Sequence, residues 1–419
     1  MVLFFKNCKA SLANNLFPLL IVIIDNSHEL IEINLLFSLG CLAQVHAESS
    51  EFVKRNIKKI LDQGLKGPEG YPLAHSEEAE EEATLRACTL ANQMNCPLYL
   101  NHISCSATAN IISSKKTKGH VIYGEITPAA LACDGKGYWD EDWKKAAAFI
   151  TSPPIRKDQN EALALKLTNE NQGLDLVGSN HAALTVKQKA LGLKENFTKI
   201  PVGTNGVQER MSVVCDKAGP EMSPERFVAV TSANAAKIFG LYPDKGYIDV
   251  GSQADIVIWD PEALTFNSTE DQVSKSNLNI FEGMTFKGKV ETVILRGRVV
   301  MFEGDLKAVQ GHGRFLSLSP YPVHVYDKIK AKKQDFEFHP VERKEEEIVI
   351  NGDIPPPALA IPLQPEKAPS LHISNIDLKL HPNDEDEDEH EPVVLNRNRH
   401  RTSIRIKNPP GGKTSGSFW

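Results

Sequence analysis

The stretch that decides the fold is FVAVTSANAAKIFGLYPDKGYIDVGSQADIVIWDP, Phe227 to Pro261. Just before it, Ser223-Pro224-Glu225 predicts a helix start, because an N-cap serine, a first-position proline and an early acid all suit the amino end of a helix. The apolar spacing that follows is compatible with a helix, and Gly240 marks its predicted end. The first half of the stretch therefore predicts one capped helix.

The second half of the stretch predicts turns and strands. Gly246 and Gly251 divide short strand-like runs, and a nearly continuous apolar strand is expected from Ala254 to Trp259. Asp260-Pro261 should end that strand.

Upstream, residues 41–245 alternate between apolar runs and helical patterns. The predicted strands are Leu42 to Val45, Pro97 to Leu100, Val121 to Tyr123, Phe149 to Ile150 and Leu174 to Val177. The segments with helical character are Glu51 to Leu65, Ser76 to Asn92, Ala107 to Lys116, Asp140 to Ala148 and Asn160 to Leu167. Alternation of this kind predicts a parallel α/β fold. Reactive residues of a barrel of this class sit at the carboxyl ends of its strands.

Downstream, residues 246–334 change to strands and turns, including Thr292 to Leu295 and Val299 to Phe302. They are interpreted as part of a small β-sandwich and a returning segment. Residues 335–419 carry the acidic run Asp384 to Glu389 and a later basic cluster. So little of this tail can bury apolar surface that we predict it to be disordered.

The composition is that of a soluble globular protein, with 419 residues, 41% of them hydrophobic, and a net charge of −7. This charge gives no reason to expect nucleic-acid binding through bulk electrostatics. Seven cysteines without a CxxC pair indicate reduced thiols and a cytoplasmic location. The apolar run Asn15 to Ile24 is too short to span a bilayer, so no membrane association is expected. Residues 1–40 are atypical: they are either a secretory signal or a truncated, mis-spliced or replaced start.

Several separate words of the sequence carry a family resemblance. They are Val45-His46-Ala47-Glu48, Gly67-Pro68-Glu69-Gly70, Tyr123-Gly124-Glu125, AAAFITSPPIR from Ala146, KENFTKIP from Lys194 and QERMSV from Gln208. Together with the opening stretch they resemble the dihydropyrimidinase/hydantoinase family of metal-dependent amidohydrolases. Within it they are most similar to the dihydropyrimidinase-related (collapsin response mediator) proteins. The resemblance covers about residues 41 to 330. It implies a (β/α)8 TIM-like barrel, incomplete at its amino end, in residues 41–245.

The resemblance also implies the position of a metal site. Enzymes of this family use two zinc ions held by a His-x-His pair, a carboxylated lysine, two further histidines and an aspartate that shuttles the proton. The two further histidines match His46 and His102, while the aspartate position holds Asn180. An amide is a neutral, weak ligand and cannot act as a general base near pH 7.

No His-x-His pair is found in the sequence, and the bridging lysine has no counterpart. We therefore expect no zinc cofactor and treat His46 and His102 as vestigial ligands. They either make ordinary hydrogen bonds at the barrel mouth or form a weak mononuclear site. The family's substrate-contact positions match Ser152, which is equally a turn residue before proline, and Val202, which offers only its backbone.

Two functions remain open. The first is a catalytically inactive cytoplasmic scaffold of the collapsin response mediator type, which the resemblance associates with homo- or hetero-tetramers, tubulin and other cytoskeletal partners. Such proteins are regulated by phosphorylation of the tail, for which Thr402 and Ser403 are the candidates beside basic residues. The alternative is a dihydropyrimidinase that hydrolyses 5,6-dihydrouracil or hydantoins with two zinc ions.

Overall fold

The computed structural model describes residues 19–23, 29–170, 173–192 and 195–334. The predicted tail, with Thr402 and Ser403, lies outside the described residues. Within them, none of the helices combines the length and the apolar character needed to cross a bilayer.

A parallel sheet forms the centre of the described chain. Its five strands are β1 Leu19–Ile23, β2 Leu42–His46, β3 Leu98–Ile103, β4 Ile122–Ile126 and β5 Leu176–Val177, and they lie side by side in chain order. Every neighbouring pair is parallel. The parallel α/β prediction is therefore confirmed. The described part of this sheet is five strands wide, so the ring of eight strands that the resemblance implies is not seen in it.

Helices connect these strands and continue beyond the sheet. Their bounds are α1 Glu29–Ser38, α2 Ser50–Asp62, α3 Gly70–Ala74, α4 Glu77–Gln93, α5 Ser106–Thr117, α6 Pro128–Ala132, α7 Trp143–Ala148, α8 Asn160–Thr168, α9 Val186–Lys189, α10 Arg210–Ala218, α11 Pro224–Val228, α12 Asn234–Ile238 and α13 Val323–Gln334. The connections are long enough for the right-handed crossovers that parallel strands require.

One predicted strand is wrong. Phe149 and Ile150 lie just past the end of α7, where their amides donate to the Ala146 and Ala147 carbonyls at 3.2 Å each. Two apolar residues are too few for periodicity to separate a strand from the end of a helix.

The opening stretch begins as its sequence predicts. Ser223 Oγ accepts a hydrogen bond from Arg226 N at 3.2 Å, and Pro224 opens α11. A π-helical turn then joins α11 to α12. Gly240 follows with φ +68°, the left-handed conformation typical of a helix stop.

The strand predictions in that stretch need correction. Residues 241–255 form turns and bends rather than strands. Strand β6 runs from Ile256 to Phe266, so Asp260-Pro261 does not end it. The register of β6 against its neighbour shifts between Asp260 and Leu264. This irregularity accommodates the proline, which cannot donate to the ladder.

The carboxyl-terminal part of the described chain forms an antiparallel sheet. Its strands are β6 Ile256–Phe266, β7 Thr285–Leu295, β8 Arg298–Phe302 and β9 Asp305–Leu306, in that order. These four strands form a single sheet within the described residues 246–334. That residues 246–334 are part of a small β-sandwich stays a prediction.

Two apolar clusters fill the interior. The larger lies around the parallel sheet and its covering helices and includes Val45, Leu100 and Ile126. The smaller gathers Leu42, Tyr99, Tyr123, Leu176, Ile238, Val325 and Tyr326, and so brings α13 against the strands. The Tyr326 hydroxyl donates to the Cys41 carbonyl at 2.8 Å, which fixes α13 at the amino end of β2.

Candidate functional site

The polar residues of the candidate site lie near the carboxyl ends of neighbouring parallel strands. His46 is the last residue of β2, His102 is near the end of β3, and Glu125 is near the end of β4. The His46 and His102 rings are 6.5 Å apart between centroids. Since β2, β3 and β4 are adjacent and parallel, their ends meet at one edge of the sheet, as predicted for both histidines.

His46 is held by a carboxylate that the sequence alone did not single out. Glu48 Oε2 lies 3.5 Å from His46 Nε2, and Glu48 Oε1 lies 2.9 Å from His75 Nδ1. Burial alone would raise the pKa of Glu48, but the hydrogen bonds and positive charge of the two histidines outweigh burial and lower it. Glu48 is therefore a buried anion with a histidine on either side.

Ser152 completes the contacts of His46, with Oγ 3.3 Å from His46 Nε2. A serine–histidine–acid relay needs the acid on one ring nitrogen and the serine on the other. Here both Ser152 and Glu48 approach Nε2. The arrangement therefore anchors the imidazole and does not activate the hydroxyl as a nucleophile.

His102 is held in the same way by Glu125. His102 Nδ1 lies 2.7 Å from Glu125 Oε1, an ion-pair distance, although the two atoms are not aligned for a hydrogen bond. The other carboxylate oxygen accepts from the Tyr99 hydroxyl at 2.6 Å. Burial, followed by the charge of Glu125, raises the pKa of Tyr99 well above its usual value. Tyr99 therefore stays a neutral donor that orients Glu125 toward His102.

Asn180 faces the same region with a left-handed backbone, φ +45°. Its Nδ2 donates to the Ser152 carbonyl at 3.2 Å. Asn180 and His102 line one cavity together with Ser104, Thr127, Ala130, Thr151, Pro153, Pro154 and Ile155, and its volume is about 10 Å³. A cavity of that size holds roughly one water molecule.

Val202 is not brought into this group. Its residue is 47% exposed, and it is absent from the residues that line the cavity. The structure thus gathers four of the five matched positions, His46, His102, Ser152 and Asn180, and leaves Val202 at the surface.

A buried ionic network lies behind the cavity. Arg156 donates from Nη2 to Glu80 Oε2 at 2.9 Å and from Nε to Ser104 Oγ at 2.9 Å, and from Nη1 to the His75 carbonyl. Ser104 in turn donates through its amide to Glu80 Oε1 at 2.9 Å, and through its hydroxyl to Oε2. Because His75 also contacts Glu48, this network supports the histidine side of the site.

The sequence contains a signal for the carboxylates that hold the two histidines, although the sequence analysis did not predict them as site residues. Glu48 follows His46 by two residues, and Glu125 interrupts the apolar run VIYGEI. A carboxylate inside a strand predicted to be buried is expected to be paired. By contrast, nothing local marks Arg156 or His75, because their partners are distant in the chain.

Two zinc ions do not fit the donors of the described residues. His46 and His102 are not joined there by a third histidine, cysteine or carboxylate close enough to share an ion with them. Position 180, where the resemblance places the aspartate, carries an amide that is already bonded to Ser152. The only described group of three potential ligands, Glu77, Glu81 and Cys105, includes neither of these histidines. We therefore derive no chemical step through a metal.

Comparison with known proteins shows which family the chain belongs to. The model of the amidohydrolase family matches residues 74–300. Rat dihydropyrimidinase is 45% identical over 73% of this chain and 59% of its own length. Rat dihydropyrimidinase-related protein 5 is 40% identical over 90% of this chain and 67% of its own length. The chain thus spans about three fifths to two thirds of these curated relatives.

Solved structures give the same picture. A dihydropyrimidinase from Brevibacillus agri superposes with a TM-score of 0.68 at 32% identity, covering 72% of this chain and 67% of that one. A D-hydantoinase gives the same TM-score at 31% identity, with the same coverage of both chains.

The chain belongs to the amidohydrolase family. Its relatives within that family include dihydropyrimidinases and dihydropyrimidinase-related proteins. The resemblance predicted from the sequence words is therefore confirmed.

Proposed function

We propose that this chain is a non-catalytic cytoplasmic scaffold of the collapsin response mediator type. The observation that carries the proposal is Asn180. Its side chain is a neutral amide that donates to the Ser152 carbonyl. Without a carboxylate there, the residue can neither accept the proton of an attacking water nor bind a cation strongly.

The state of the two histidines supports the same proposal. His46 Nε2 is shared between Glu48 and Ser152, and His102 Nδ1 lies against Glu125. With these contacts, the two histidines can be explained as structural residues at the edge of the sheet. The cavity beside His102, at about 10 Å³, also offers no room for a six-membered cyclic amide in this conformation.

The extent of the similarity is a further support. The match to the dihydropyrimidinase-related protein covers 90% of this chain, whereas the match to rat dihydropyrimidinase covers 73%. Residues 1–334 are about 80% of the 419 residues. The longer match must therefore include part of residues 335–419.

This proposal brings with it the partners and regulation predicted from the class. They are self-association into a homo- or hetero-tetramer, binding to tubulin or other cytoskeletal proteins, and phosphorylation at Thr402 or Ser403. Phosphates at those positions would add negative charge beside Arg399, Arg401 and Arg405, where pairing with the arginines is favourable.

A dihydropyrimidinase is the second candidate. The 45% identity to the rat enzyme favours it, as do two histidines with ring centroids 6.5 Å apart at the strand ends. In that case the ligand set of the zinc ions would have to be completed by donors outside the described residues.

The deciding experiment is a hydrolysis assay on the full chain with added zinc and 5,6-dihydrouracil, run beside rat dihydropyrimidinase. We expect no turnover above the blank and, by elemental analysis, fewer than two tightly bound zinc ions per subunit. Turnover that disappears on chelation and in His102→Ala would contradict the scaffold proposal and establish the enzyme.

A further inference from the structure

A cluster of positive side chains lies where the end of α5 turns into β4. The amides of Lys118 and His120 both donate to the Lys115 carbonyl, at 3.1 and 3.2 Å. This tight turn places three lysines and a histidine within six residues of chain, and one of the three, Lys116, is paired with Asp175.

Helix α13 adds two further lysines to this cluster. Lys328 Nζ lies 5.2 Å from the centroid of the Tyr123 ring, on β4. Lys332 donates to the side chain of Asn92 and lines a small cavity together with His120. Residues four apart share one face of a helix, so both lysines face the start of β4. We call Lys115, Lys118, His120, Lys328 and Lys332 the basic patch.

The positive charge of the basic patch is not balanced locally. Among the described residues, no carboxylate lies within ion-pair distance of its four lysines. The nearby acids Asp327 and Asp175 are engaged by other lysines, at 3.0 and 2.5 Å.

The pKa of His120 is affected by the positive charge of the same lysines. Burial lowers the pKa of His120 first, and Lys332, Lys115 and Lys118 lower it further. Its Nδ1 is buried without a hydrogen-bond partner in the described structure. Lysines from two separate parts of the fold thus act on one ring.

We propose that the basic patch binds a run of acidic side chains from a second copy of this chain, Asp384–Glu389. That run holds six consecutive acidic residues, which complement four lysines. Ion pairs of this exposed kind are weak singly and become significant as a group. The inference rests on the self-association proposed above, but it does not depend on whether the chain hydrolyses anything.

The position of the acidic run suits this partner. Residues 335–383 separate it from Gln334, a connection of 49 residues. A chain of 49 residues extends to at most about 160–175 Å, so the length of the connection allows the run to reach a neighbouring molecule. The net charge of −7 opposes binding of a polyanionic nucleic acid, which would lie against much of the negatively charged surface. A short acidic peptide contacts the basic patch alone.

The first test uses a labelled peptide of residues 381–392, titrated with the full chain carrying D384N/E385Q/D386N/E387Q/D388N/E389Q, here the run variant. Its patch is intact and the acids at 384–389 are neutral, so the chain's own copy of this run does not compete with the peptide. We expect saturable binding by fluorescence anisotropy. The affinity should fall about tenfold or more when Lys328→Glu and Lys332→Glu are added, and when salt rises from about 0.05 to 0.5 M.

Controls make this result specific. Lys58→Glu with Lys59→Glu changes the same charge on exposed positions of α2 and should leave the peptide affinity unchanged. Lys328→Gln with Lys332→Gln tests the patch with a milder change, and circular dichroism verifies folding. Equal binding of a peptide with Asn and Gln in place of the acids would overturn the proposal. So would tighter binding of a DNA oligonucleotide of equal charge.

The second test asks whether the run acts between copies. The patch variant carries Lys328→Glu and Lys332→Glu in the chain with its acidic run intact. Concentration-dependent association, measured by sedimentation velocity, should weaken in the run variant alone and in the patch variant alone. Mixing the two should restore it, because each supplies what the other lacks. A mixture no more associated than its components would refute an intermolecular contact, whatever the result of the hydrolysis assay.

Discussion

Replacing Arg156 with methionine removes the cation from the buried network behind the candidate site. The guanidinium donates to Glu80, Ser104 and the His75 carbonyl. The Arg156 and Glu80 side chains are each only 3% exposed. In Arg156→Met, Glu80 remains buried with donors from Ser104 alone, so an uncompensated carboxylate stays in the interior.

The expected loss is about 3–5 kcal/mol in the free energy of unfolding, the range for removing one partner of a buried ion pair. The two Ser104 donors that remain place the expectation near the lower end, about 3 kcal/mol. This is a large fraction of the roughly 5–15 kcal/mol that holds a typical domain folded.

Urea unfolding followed by circular dichroism measures this change. The matched control is Arg86→Met, because Arg86 forms an ion pair with Glu82 at 3.0 Å with side chains 31% and 42% exposed. That change should cost under about 1 kcal/mol. Adding Glu80→Met to Arg156→Met should recover part of the loss, since the unpaired charge is then gone. A loss below about 1 kcal/mol in Arg156→Met would refute this reasoning.

Two further changes test the packing around the site. Burial lowers the pKa of Lys189 to about 7, against about 10.4 in an unfolded chain. The unfolded state therefore binds more protons between these values, and stability should rise with pH from about 7 to 10. Lys189→Met should remove that rise. The measurement is the free energy of unfolding at pH 7 and at pH 9.5. A rise as large as in the unsubstituted protein would contradict a lowered pKa for Lys189. In Gly178→Ala, the new Cβ would overlap the Glu125 carboxyl group, so we expect a loss of about 1–3 kcal/mol. Gly313→Ala, which meets no neighbouring atom, is its control in thermal unfolding, and equal midpoints for the two variants would count against the predicted overlap.

Much of the fold could be predicted because local patterns carry it. The run from Leu42 and the run from Pro97 became β2 and β3, and Ser223 caps α11 as its sequence indicates. Where the local pattern was short or interrupted, the prediction failed. Phe149-Ile150 became the end of a helix, and Pro261 is carried inside β6 by a register shift. The preceding helix decides the first case and the neighbouring strand β7 the second, and neither contact can be read from so few residues.

Some residues of the candidate site could likewise be predicted from the sequence, and others could not. Sequence words located His46, His102, Ser152 and Asn180, and the strand ends bring them together. The partners that define their chemistry are Glu48, Glu125, His75 and Arg156. Of these, His75 and Arg156 come from segments tens of residues away from the groups they contact.

The sequence by itself determined the family, the strand–helix alternation and the amide at position 180, because each is a property of neighbouring residues. Only the tertiary structure decided that each histidine is held by a buried carboxylate, and that lysines from α5 and α13 meet around His120. Burial and pairing depend on which distant segments share a low-dielectric interior or a surface, and folding alone brings those segments together.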